Sequence, residues 1–253
     1  MRARPRRRVG ARDLAVDLPG GHQHRQPPAP GAAQLPGRRV VSAAELTPAY
    51  RAVIGIGSVF LRLSRIRVSG AENIPLAGPV LVVANHDSHW DPIAIGYAAR
   101  QRRLIRALAK SSLWKNPIAA RVLDGMRQIP IERGASTSAM RTARQALRDG
   151  SCLGVFPEGT LSHGRTLPAR SGVGWLAVAV PGTVIVCCRV HGTTDQVWRP
   201  GAARVRVEFF APEGGPARAG EKADALATRL LAEIRSGVPP TASRRHRRRD
   251  QAI

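Results

Sequence analysis

Two short blocks of this chain bring together groups that can do chemistry. The first is Asn85-His86-Asp87-Ser88-His89-Trp90-Asp91, in which four residues separate the imidazole of His86 from the carboxylate of Asp91. Such a pair is the usual means of taking a proton from a hydroxyl near neutral pH. The imidazole accepts the proton, and the carboxylate fixes the tautomer and stabilises the imidazolium. His89 is a competing base in the same turn. The plain alternative is that Asp91 only caps a helix. The second block is Phe156-Pro157-Glu158-Gly159-Thr160. Glu158 could accept hydrogen bonds from a polyol, and Gly159 would let a ligand approach the backbone. An ordinary tight turn fits the same five residues. Cations form a third group. Lys110 and Arg133 both end strand-like segments and together could hold a phosphate. Arg165 and Arg170 follow the Glu158 turn. Of the 40 basic residues 37 are arginine, so Lys110, one of only three lysines, is the more telling position.

The elements around these residues place them on one edge. The run Val80-Leu81-Val82-Val83-Ala84 reads as a buried strand. Asp91-Pro92 reads as a helix start, with Asp91 as N-cap and Pro92 at the first helical position. His86 then lies at the carboxyl end of a strand, in the turn before a helix, where ligands collect in open α/β sheets. The pattern predicts helices over residues 46–64, 93–100, 112–123, 137–147, 172–180 and 220–236. Strands are expected over 66–68, 104–109, 128–131, 152–156, 184–190 and 205–210. Leu226, Leu230, Leu231 and Ile234 share one face of the last helix. Alternating strands and helices imply an α/β fold: a mixed, largely parallel sheet flanked by helices, with a helical segment at its N-terminal side. The expected domain covers residues 42–238. Residues 1–41, rich in Arg, Pro and Gly, and the Arg-rich residues 239–253 read as disordered tails.

Composition narrows the partners. The formal net charge is +23. Residues 1–41 hold +7 of it and residues 239–253 hold +4, which leaves +12 on the middle. A basic domain suits an anionic membrane surface or a phosphate-bearing substrate. Nucleic acid would also attract it, but with 4% aromatic residues and no basic-aromatic interleaving a stacking platform is not indicated. Residues 1–39 lack the apolar core of a signal peptide, and no stretch reaches the length of a spanning helix. The apolar helix near residues 50–63, flanked by Arg51, Arg62 and Arg65, is too short to span. It could lie in a membrane interface or pack on the domain. Cys152, Cys187 and Cys188 have no metal or disulfide spacing and read as buried small hydrophobes. Gly-rich phosphate loops, a Gly-x-Ser-x-Gly elbow and zinc spacing are all absent from the sequence.

Taken in order, the blocks resemble the glycerolipid acyltransferase family that includes the 1-acylglycerol-3-phosphate acyltransferases. The matching pieces are Asn85-His86 with Asp91, then Gly125 with Ile131-Glu132-Arg133, then Phe156-Pro157-Glu158-Gly159-Thr160. The resemblance covers about residues 45–235. It implies acyl transfer from acyl-CoA or acyl carrier protein to a lysophospholipid hydroxyl, with 1-acylglycerol-3-phosphate as the expected acceptor. His86 would be the general base and Asp91 its partner. Glu158 and Gly159 would hold the glycerol portion and Lys110 and Arg133 the phosphate, with Thr160 and Arg170 also among the substrate-binding residues. No metal or cofactor is implied, because the acyl donor is itself a substrate. The resemblance further implies peripheral or monotopic attachment to the cytoplasmic face of a membrane. Two departures bear on the acceptor. The family's third block continues with arginine, where this chain has Leu161, and its fourth block is an apolar strand with a central proline, which residues 184–188 lack. Another lysolipid or glycolipid acceptor, or a lipid-binding relative without turnover, are the alternatives.

Overall fold

A computed structural model describes residues 46–132, 136–194, 204–218 and 220–238. The expected tails and Arg133 lie outside the described residues. Seven strands form one sheet: β1 (Arg67–Ser69), β2 (Val80–Ala84), β3 (Ile105–Lys110), β4 (Ile129–Ile131), β5 (Cys152–Val155), β6 (Val184–His191) and β7 (Arg206–Phe210). Their order is β1-β7-β6-β2-β5-β3-β4. Every neighbouring pair runs parallel except β6 and β7. The fold is the expected α/β sheet with helices on its faces.

Alternation along the central strand builds two cores, because successive side chains point to opposite faces. Val80, Val82 and Ala84 of β2 join Val186 and Cys188 of β6 in one core. Leu81 and Val83 join Ile185 and Cys187 in the other. The first core is closed by α1 (Pro48–Leu63) and α2 (Asp91–Ala99), through Tyr50, Ile54, Leu61, Ala94 and Ile95. The second is closed by α4 (Ser136–Arg148), α5 (Gly172–Ala179) and α6 (Ala223–Ser236), through Leu147, Leu176, Leu226, Leu230 and Ile234. Strands covered on both faces read as unbroken apolar runs, which is why β2 stood out in the sequence. The three cysteines are free and buried. Burial pushes the Cys152 and Cys187 thiols up to about 12, so neither is a nucleophile at neutral pH. Gly174 of α5 meets the start of α6 so closely that a Cβ there would overlap the Ala223 carbonyl. That contact seats α6 against α5.

Two expectations are corrected. The helix expected over residues 112–123 is two pieces. A 3-10 turn covers Ser111–Lys115, and α3 (Pro117–Gly125) starts afresh behind it. Pro117 pushes the preceding residue out of the helical region. Asn116 is therefore extended, and its side chain accepts from the Ile118 and Ala119 N–H groups at 2.9 and 3.1 Å. The N-cap of α2 is Trp90 rather than Asp91. Trp90 supplies the first helical carbonyl, to Ala94 N–H. Asp91 is the first residue inside the helix, and its carboxylate turns back toward the loop.

α1 serves two purposes on two faces. Thr47 caps it, accepting from Tyr50 N–H, and Pro48 opens it. Tyr50, Ile54, Gly57 and Leu61 face inward and are buried. On another face Ala52, Ile56, Val59 and Leu63 recur at helical spacing and are exposed, Ile56 at 68%. Among the described residues no helix is long and apolar enough to cross a membrane.

Candidate active site

β2 ends at Ala84 and delivers His86 two residues beyond the sheet edge. β5 and β3 run parallel beside it, so their carboxyl ends present Glu158 and Lys110 on that same edge. The His86 loop is tied down from several sides. Asn85 donates to the Val190 carbonyl at 2.7 Å and to Asp87 Oδ2 at 2.9 Å, and accepts from Val190 N–H at 2.8 Å. This carries the link between β2 and β6 past the end of β2. The His86 carbonyl accepts from Ser162 N–H at 2.7 Å, and its N–H donates to Glu158 Oε1 at 3.4 Å. The two sequence blocks are thus stitched together on both sides of the histidine.

The ring itself is held at one edge and one face. Nδ1 lies 3.2 Å from Asp91 Oδ2. The same oxygen accepts from the Asp87 and Ser88 N–H groups at 2.6 and 2.8 Å. The other Asp91 oxygen accepts from the Thr193 hydroxyl. A carboxylate oxygen that already accepts two N–H bonds requires a donor at Nδ1, which leaves the lone pair on Nε2. The ring stacks on Phe156 at 4.0 Å between centroids and 18° between planes. Asp91 is fully buried while the His86 side chain keeps 17% exposure. The pair therefore has a sheltered carboxylate and a reachable imidazole.

Behind it stands a buried ionic network that the motifs did not announce. Arg235, at the end of α6, donates to both oxygens of Asp87, at 3.0 and 2.8 Å, to Glu158 Oε1 at 2.6 Å and to Ser162 Oγ at 2.9 Å. Asp87 also accepts from the Ser162 hydroxyl and from Gly164 N–H. Burial pushes the Asp87 carboxyl up, but hydrogen bonds from Arg235, Ser162 and Asn85 and the guanidinium charge outweigh it, so the net shift is downward. For Glu158 burial wins over Arg235, and its carboxyl is shifted upward. Sequence reasoning missed Arg235 because arginine is common throughout the chain. The usable signal was Asp87, an acid three residues past the end of a buried strand, where a carboxylate needs a partner.

The remaining expected residues divide. Gly159 has φ +65° and lies under Arg170, so that a Cβ would come within 2.6 Å of Arg170 Cδ. Arg170 is exposed, and its N–H closes the turn on the Pro157 carbonyl at 2.8 Å. Thr160 is half-buried and follows that turn. Lys110 is exposed at the last position of β3, two strands from β2. Leu161 is half-buried where the resemblance expects arginine. Glu158 is closed off rather than open to a ligand. Its side chain has no exposed surface, Oε1 is engaged, and Oε2 has no hydrogen-bond partner. Among the described residues no three His, Cys, Asp or Glu side chains gather as a metal site.

Residues 65–191, half of the chain, match the family model described as Acyltransferase. The chain belongs to that family. The match contains both His86 and Glu158 and ends at the last residue of β6. Several relatives carry the name 1-acyl-sn-glycerol-3-phosphate acyltransferase. One, from Borreliella burgdorferi, is 37% identical over 117 residues, 45% of this chain and 46% of the relative. Another, the alpha form from Mus musculus, is 32% identical over 171 residues, 61% of this chain and 60% of the relative. The chain therefore spans about half the length of the curated relatives it matches. The crystal structure of the 1-acyl-sn-glycerophosphate acyltransferase from Thermotoga maritima shares the fold, with a TM-score of 0.58 over 75% of this chain and 78% of that one, at 24% identity.

Proposed function

We propose that the protein transfers an acyl group from a thioester donor, acyl-CoA or acyl carrier protein, to the free hydroxyl of a lysophospholipid, most directly 1-acylglycerol-3-phosphate. The observation that carries this reading is the His86 ring: anchored at Nδ1, stacked on one face and still reachable at the sheet edge. Nε2 takes the proton of the acceptor hydroxyl, and the oxygen attacks the thioester carbonyl. As the carbon–sulfur bond breaks, the imidazolium returns the proton to the leaving thiolate. The acceptor is the nucleophile throughout, so no acyl-enzyme forms, consistent with the inert buried cysteines.

Lys110 and Arg170 are the cations assigned to the acceptor phosphate, together with Arg133, and Gly159 and Thr160 line its approach. Glu158 is given a different part. Its buried, engaged carboxylate supports the His86 backbone rather than meeting the acceptor. The exposed stripe Ala52, Ile56, Val59 and Leu63, bordered by Arg51 and Arg62, supports docking of α1 on an anionic bilayer that supplies the acceptor.

Leu161 favours a second acceptor class. Without the expected arginine the site has one cation fewer for a phosphomonoester, which suits a lysolipid with a larger or neutral headgroup. An acceptor screen decides between them: purified protein, one acyl-CoA, and 1-acylglycerol-3-phosphate beside other lysolipids and glycolipids. The proposal expects fastest turnover with 1-acylglycerol-3-phosphate, and turnover with none of them would overturn it.

A further inference from the structure

We propose that Arg235 is a positioning residue for the His86 base, through which the last helix sets the geometry of the reacting centre. The inference rests on the acyl-transfer reading, since it assigns a part in that same site. Arg235 lies 148 residues from Asp87 in sequence and touches neither the His86 ring nor Asp91 by any hydrogen bond in the structure. It acts through their supports. Glu158 Oε1, held by Arg235 at 2.6 Å, is the acceptor of the His86 N–H. Ser162, held at 2.9 Å through its hydroxyl, donates its N–H to the His86 carbonyl. Asp87, held by a two-pronged contact, donates its own N–H to the Asp91 oxygen that orients the ring. One guanidinium therefore fixes the peptide groups on both sides of His86 and the loop that carries its partner.

The fork is essential to this arrangement. Asp87 and Glu158 are both buried, and without a shared cation their like charges destabilise each other. Glu158 would then swing from the His86 N–H or take up a proton. Lysine can supply the charge, but a single ammonium cannot reproduce a planar contact to two carboxylates and a hydroxyl. α6 itself is anchored independently, through Leu226, Leu230 and Ile234 in the second core. A change at Arg235 therefore perturbs the loop before it unseats the helix.

The test compares Arg235→Met and Arg235→Lys with the wild-type protein in three measurements: steady-state kinetics with one acyl-CoA and the best acceptor from the screen, thermal melting, and 15N NMR of the histidine rings. The expected result is a folded protein whose kcat falls about 100-fold, the scale of a small misplacement of reacting groups. KM should stay within about twofold. The His86 ring nitrogens should shift from a single tautomer toward a mixture. A folded variant with wild-type kcat per folded molecule and unchanged ring signals would overturn the proposal. So would a variant that only lowers the folded fraction. If Arg235→Met does not fold, Arg235→Lys is judged by the same readouts. Failure of the underlying reading looks different: the wild-type protein itself shows no thioester turnover, while the NMR comparison still judges the positioning of His86.

Discussion

Asp91 holds His86 by Nδ1 at 3.2 Å with the same oxygen that gathers the Asp87 and Ser88 N–H groups. One atom thus orders both the ring and the loop beneath it. Asparagine at this position keeps an oxygen for these three groups but lacks the charge that stabilises the imidazolium. Asp91→Asn should fold and lose about 10² in kcat. Thr193→Val removes only the hydroxyl that steadies the second Asp91 oxygen, and a loss of about tenfold is expected, read as kcat at constant KM. Wild-type kcat in Asp91→Asn would contradict the part given to its charge.

Acid stability separates the two carboxylates that share Arg235. Asp87 is shifted downward in the folded protein, so the unfolded chain binds its proton more readily. The stability it contributes is present above its unfolded value of about 3.9 and is lost as pH falls through the lower folded value. Glu158 is shifted upward, so its contribution runs the other way: stability is gained as pH falls from its folded value toward about 4.3. Denaturant melts from pH 7 to pH 3 should therefore lose stability less steeply in Asp87→Asn than in wild type, and more steeply in Glu158→Gln. The opposite order would contradict both assignments.

Much of this site was legible in the sequence, and what was not has a physical reason. β2 and β5 are buried on both faces, so their apolar runs were plain, and His86 and Glu158 followed from the ends of those strands. The buried face of α6 was plain from Leu226, Leu230 and Ile234. Arg235, one residue beyond that row, was not, because a contact across 148 residues leaves no local pattern and arginine is abundant. Thr193 and the Asn85 link to Val190 were hidden for the same reason: they join the segment after β2 to the end of β6 and the residues just past it. Asp91 read as an N-cap because Asp-Pro opens many helices. Its carboxylate instead serves three groups upstream, and Trp90 takes the cap.

Leu161 offers a test of acceptor choice. It is half-buried beside the Glu158 turn, where the family resemblance expects a phosphate-binding arginine. Leu161→Arg should lower KM for 1-acylglycerol-3-phosphate several-fold, about what one charge-assisted hydrogen bond contributes. KM for an acceptor with a neutral headgroup should not fall. Equal effects on both acceptors would show that this position does not read the phosphate.

The exposed face of α1 predicts a binding phenotype apart from chemistry. Ile56, Val59 and Leu63 are 68, 57 and 55% exposed. Burying one such side chain in lipid is worth about 1.5–3 kcal/mol, so replacing Ile56 by Ser should weaken binding to anionic vesicles about tenfold or more. Turnover of a water-soluble short-chain acceptor should stay as in wild type, because no residue of the His86 loop is altered. Unchanged vesicle affinity would remove α1 from the docking surface.

The central claim is that His86 is the base for acyl transfer, and single-turnover kinetics of His86→Ala test it most directly. Wild-type protein mixed with acyl-CoA and 1-acylglycerol-3-phosphate should release CoA and form the diacyl product in equal amounts. His86→Ala, with an unchanged melting temperature, should be slower by about 10² to 10⁴, the usual contribution of a general base. A folded His86→Ala protein that forms product at the wild-type rate would contradict the account.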